Sequence, residues 1–170
     1  MRKLQLLKNL LDIFWILSII SLIGIAIMVP FFLINGSDGL PVKIKGVEIN
    51  INDTFSKLVV AFTLIGGLLF VYSVYLLRKV VTYFQNRDIF NEEVIRYFNL
   101  IGKLIIASSL ISNLTLFFFN MVKRNHMGLT LDFGSYDSFI LSICLGLFFM
   151  VISEVFKIAK KLKEENELTI

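Results

Sequence analysis

Four stretches of this sequence run for 18 to 22 residues with almost no charge, at 13–34, 58–77, 104–122 and 138–155. They constrain the fold more than any motif does. A helix rises 1.5 Å per residue, so 22 residues reach about 33 Å, enough to cross the hydrocarbon of a bilayer. Hydrocarbon offers no partner to a backbone amide, so a spanning segment must satisfy its own hydrogen bonds as a helix or in a closed barrel. Unbroken apolar runs of this length predict helices, whereas barrel strands alternate. Only 18% of the residues are charged and 56% are hydrophobic, against about a quarter charged in a soluble domain. The sequence therefore predicts an all-α membrane protein, a single domain over 1–170 folded as a four-helix transmembrane bundle.

The first run could be taken for a secretion signal, because Arg2, Lys3 and Lys8 precede it. It is longer than a signal core and ends in Pro30, Phe31 and Phe32 rather than a small-residue cleavage site. It is expected to stay as a span. Basic residues then orient the chain. The N-terminal flank has three, the 78–103 connection five and the 156–170 tail four, which makes twelve. The 35–57 and 123–137 loops together hold five. Lys and Arg concentrate on the cytoplasmic side, so both termini are expected inside, in a bacterial cytoplasmic membrane.

The loops have their own patterns. On the outer side, Val42, Ile44, Val47, Ile49 and Ile51 alternate with polar residues around Gly46, as in a small extracytoplasmic hairpin. Leu129 to Phe133 could add a third strand. On the inner side, 83–86 should continue the second helix and 88–91 should break it. Asn91 then suits an N-cap before Glu92 and Glu93. Val94, Tyr97, Phe98 and Ile101 next form an amphipathic stretch expected to lie at the membrane surface before the third span.

Catalytic and cofactor chemistry finds little material. One cysteine, Cys144, and one histidine, His126, are present, which excludes the usual zinc, iron–sulfur and disulfide arrangements. No phosphate-binding glycine loop or nucleophile elbow occurs. No enzyme activity, cofactor or direct nucleic-acid contact is expected. The polar residues inside the runs remain. Asn113 is central in the third run, where its amide must face another helix, water or a cavity. Ser138, Ser142 and Gly146 share one face of the fourth helix at four-residue steps, a spacing that favours close helix packing. Glu154, the one acidic residue in an apolar run, is expected to form an ion pair with Lys157, Arg78 or Lys79. Gly66-Gly67 marks either a close contact or a hinge.

The most individual segment is the tail, where lysines at 157, 160, 161 and 163 give way to Glu164, Glu165 and Glu167 before Leu168 and Ile170. Together with the inner-loop run Asp88-Ile89-Phe90-Asn91-Glu92-Glu93-Val94 and the Ser153-Glu154-Val155-Phe156 turn, it resembles bacterial four-span proteins of the domain-of-unknown-function family twenty-nine seventy-five. That family more often has Pro-Phe-Thr where this chain has Ile89-Phe90-Asn91. The resemblance implies no activity. It does imply a neighbouring gene for a small Cro/repressor-type helix-turn-helix regulator, and so a partner.

The favoured reading is a regulatory membrane protein that engages such a partner through Glu164, Glu165, Glu167, Leu168 and Ile170, with Phe90 and Glu93 beside them. An acidic tail would compete with DNA for the basic surface of the regulator. The alternative is a small transporter or channel component, as a single chain or a homo-oligomer, using Asn113 and Glu154. A third reading is an envelope-stress or immunity protein.

Overall fold

The structure is a computed structural model, and it describes residues 2–35, 42–44, 47–49, 54–124 and 133–168. Four long helices carry the fold: α1 (Arg2–Asn35), α2 (Thr54–Gln85), α3 (Glu92–Arg124) and α4 (Phe133–Leu168). All four are long and apolar enough to cross a membrane. Between α1 and α2, two three-residue strands, β1 (Val42–Ile44) and β2 (Val47–Ile49), pair antiparallel with Val42 opposite Ile49. The expected third strand falls outside the described residues except for Phe133, which opens α4. His126 also lies outside them.

The helices pack in chain order as a row, α1 on α2, α2 on α3 and α3 on α4. Among the described residues, α1 makes no extended contact with α3 or α4. The expected four-helix bundle is therefore open rather than closed. In water an open row would leave two apolar edges exposed, but lipid tails cover such edges without penalty.

Small residues set the central spacing. Ser108 Oγ donates to the Gly66 carbonyl at 2.8 Å across α2 and α3. A Cβ on Gly66 would collide with Ser112 Oγ and stand 3.2 Å from the Ser108 carbonyl. Gly102 and Gly146 meet backbone to backbone where α3 crosses α4. A Cβ on Gly146 would stand 2.8 Å from the Gly102 carbonyl.

The largest core lies at one end of the row, where α2 turns into α3. Leu76, Val80, Val94, Phe98, Ile101 and Ile105 are buried there, with Phe149, Ile152 and Phe156 of α4 packed on them. This corrects the expectation for the start of α3. Val94, Phe98 and Ile101 do not lie on a membrane surface as a separate helix. They continue into α3 without a break and turn their apolar face against α2 and α4, because two neighbouring helices bury that face more fully than an interface can.

The turn itself is tight. The Asp88 amide donates to the Tyr83 carbonyl at 3.1 Å and the Arg87 amide to the Phe84 carbonyl at 3.3 Å. This pair of bonds is a Schellman closure of α2. Its left-handed residue is Arg87, with φ of 61°, where glycine is usual. Asn91 then caps α3, its Oδ1 accepting the Glu93 amide at 2.9 Å while its Nδ2 donates to Asp88 at 2.7 Å.

Candidate functional site

The end of the row that carries the 86–91 turn also holds the start of α1 and the close of α4, and most of the charged side chains meet there. Past its apolar run α4 continues as helix to Leu168, and three side-chain contacts fasten it to the turn and to α3. Ser153 Oγ, buried, donates to the Ile95 carbonyl at 2.7 Å. The Lys160 ammonium donates to Glu92 at 2.7 Å. The Lys163 ammonium lies 5.6 Å from the centre of the Phe90 ring. Beneath them, Phe156 is the hub of an aromatic cluster, with ring centroids 5.5 Å from Phe98, 5.8 Å from Phe84 and 6.5 Å from Phe90.

This arrangement separates the two glutamates that open α3. Glu93 turns to α2, and its carboxylate accepts hydrogen bonds from the hydroxyls of Tyr83 on α2 and of Tyr97 one turn on in α3. Glu92 faces α4 and water, with its side chain 84% exposed. Sequence reasoning selected Glu93 and passed over Glu92. The contact of Glu92 with Lys160 is visible only once α4 has been laid beside α3.

The tail glutamates are not a separate negative surface. Glu164, Glu165 and Glu167 pair with Lys160, Lys161 and Lys163, one turn earlier, at 3.5, 3.7 and 3.7 Å. The side chain of Leu168 and all of Ile170 lie outside the described residues. Phe90 is partly open, at 37% exposure. The face so formed is chequered with both signs of charge around one aromatic ring.

A second polar group sits between α1 and α2. Asp12 stands ten residues into α1 and pairs with Arg78 of α2. The Arg78 guanidinium also lies 4.9 Å from the centre of the Trp15 ring, which is tilted at 33° to the Tyr75 ring 6.0 Å away. With Leu4 and Leu11 packed near Val74, Val81 and Leu77, this is what holds α1 to the row.

The intramembrane residues scatter. Asn113 Nδ2 donates within its own helix, to the Ser109 carbonyl at 2.7 Å and to Ser109 Oγ at 3.3 Å. Gly146 lies at the α3–α4 crossing, and Ser142 is half-buried one turn away. The Ser138 side chain is outside the described residues. Glu154 is exposed, and among the described residues it forms none of the expected pairs with Lys157, Arg78 or Lys79; Arg78 is held by Asp12 and Lys79 lies over the Tyr75 and Tyr97 rings. Among the described residues, no three His, Cys, Asp or Glu side chains gather as a metal site would need.

A family model, described as protein of unknown function DUF2975, matches residues 8–170. That match takes in all four helices and both polar groups. The chain belongs to this family. No curated protein and no solved structure matches it. For this DUF2975 protein the functional reading therefore rests on the geometry of the Glu92–Lys160 face.

Proposed function

We propose that the chain is a regulatory membrane protein, not an enzyme, and that it holds a cytoplasmic partner on the surface built by the 86–91 turn, the first turn of α3 and the extension of α4. The observation that carries this reading is the clasp of Lys160 on Glu92 and Lys163 on Phe90. Anchoring in a bilayer does not require it. The extension runs thirteen residues past the apolar run, 156–168, about 20 Å at 1.5 Å per residue.

The distribution of basic residues supports placing this end in the cytoplasm of a bacterium, with the β1–β2 hairpin on the outer side. A fitting partner is a small helix-turn-helix regulator, whose basic DNA-binding surface would meet Glu92, Glu164 and Glu167 around Phe90. DNA and the membrane protein would then compete for the same positive surface. Because each tail glutamate already has a lysine beside it, such binding exchanges ion pairs rather than adding them. It should be reversible and sensitive to salt.

The test is affinity capture from solubilised membranes with the intact chain, a chain ending at Lys163, and a Phe90→Ala, Glu92→Lys variant. The intact chain is expected to retain a small DNA-binding protein that both altered forms lose. Equal recovery by all three forms, or no cytoplasmic protein with any of them, overturns the reading.

A further inference from the structure

The face of α4 turned away from α3 carries a continuous apolar stripe. Gly146, Ser153 and Lys160, seven residues apart, mark the side that meets α3. On the opposite side lie Leu141, Cys144, Phe148, Val151, Val155, Ile158 and Leu162, separated by alternating steps of three and four. All seven are exposed. Steps of three and four average 3.5 residues, the heptad spacing of a left-handed helix pair. Relative to a straight helix such a stripe drifts about 20° per heptad. Over three heptads it stays on the open side of α4.

The stripe does not stop where the apolar run stops. Leu141 to Val155 lie inside the run, where lipid tails could cover them. Ile158 and Leu162, 59% and 55% exposed, lie beyond it among Lys157, Lys160, Lys161 and Lys163 and follow the same line. Lipid tails suit the first part of the stripe and a water-soluble partner suits the second. A second α4, running parallel because both copies enter the membrane the same way, suits the whole length.

Charge is compatible with that partner. With Leu141, Phe148, Val155 and Leu162 at the first apolar position of each heptad, Glu154 faces Ala159 of the other copy and Lys161 faces Asn166. The next position on the stripe is Glu165, where like charges would meet, and the apolar contact ends there. We propose that two copies of this chain pair through α4, in parallel, along the stripe from Leu141 within the membrane to Leu162 outside it. This pairing does not depend on the partner proposed above.

Cys144, the single cysteine, lies on the stripe, so the unaltered protein tests the idea. Iodine added to membranes takes two electrons from a pair of apposed thiols, and a disulfide forms with release of two protons. The native chain is expected to give a covalent dimer, and Cys144→Ser none. In the Cys144→Ser background, Ile158→Cys should cross-link as readily as Cys144. Both should exceed by at least about five-fold the collision level of Leu114→Cys, which is comparably exposed on α3. Ile158→Glu with Leu162→Glu, two exposed positions, should lower cross-linking through Cys144. Cross-linking of Cys144 at the Leu114→Cys level would mean that lipid covers the stripe, and overturns the pairing. Cross-linking at only one of Cys144 and Ile158→Cys would mean different occupants for the two parts, and overturns it as well.

Discussion

Replacing each glycine of the Gly66-Gly67 pair by alanine should change stability in opposite directions. The two residues are neighbours at the same depth in α2, so depth and helix propensity act on both alike. Alanine exceeds glycine in a helix by about 0.8–1.0 kcal/mol in water, and by less where no water reaches the backbone. At Gly67 a Cβ meets nothing within 4 Å, so only this gain applies, and Gly67→Ala should be up to about 1 kcal/mol more stable.

At Gly66 the new methyl would run into Ser112 Oγ and sit 3.2 Å from the Ser108 carbonyl oxygen. The serine hydroxyl can rotate away. The carbonyl can retreat only if α3 moves from α2, which costs about 1–3 kcal/mol for an overfilled contact. The same movement stretches the Ser108–Gly66 hydrogen bond, worth about 0.6 kcal/mol on average inside a membrane protein. Gly66→Ala should therefore be less stable by roughly 1–3 kcal/mol, and the two variants should differ by about 2–3 kcal/mol or more.

The assay is unfolding in mixed micelles by increasing the mole fraction of SDS, followed by Förster transfer between dyes on α2 and α3. A shift of both variants in the same direction by similar amounts would refute the reasoning. It would mean that Gly66 serves as a hinge, or that α2 and α3 do not cross there.

Two further outcomes follow from the turn and its core. Phe98→Ala should cost about 3–5 kcal/mol in the same titration, because Phe98 is buried and its ring lies 6.0 Å from Phe84 and Phe149 and 5.5 Å from Phe156. A loss below about 1 kcal/mol would contradict a packed core at that end. Arg87→Gly should raise stability by roughly 1 kcal/mol, since it relieves a side chain held at φ of 61°. A thermal midpoint unchanged or lowered would show that the arginine side chain contributes more than the strain it causes.

Much of the turn could be read in advance. Asn91 followed by two glutamates and an apolar residue is a helix start in any surroundings, and the structure uses Asn91 as that cap. Local chemistry decides a cap, so local sequence reveals it. The division of labour between Glu92 and Glu93 was not legible in the same way. It depends on which of the two projects toward Tyr83 on α2 and which toward Lys160, 68 residues from Glu92. The role of Asp12 is hidden in the sequence for a similar reason. Its partner, Arg78, comes from another helix, and nothing within a few residues of Asp12 points to it.

By itself the sequence determined the four membrane-spanning helices, because uninterrupted apolar runs in hydrocarbon have no other way to satisfy their backbone. It also determined where α3 starts. Only the tertiary structure decided that the helices stand in an open row and that Gly66 makes a contact while Gly67 does not. It also decided that the start of α3 belongs to the core and that α4 is clasped to the turn. Apolar side chains gain as much from lipid as from one another, so hydropathy carries no information about which helices are neighbours. That choice rests on small residues, a few hydrogen bonds and ion pairs between distant parts of the chain, and these become visible only when the helices are placed side by side.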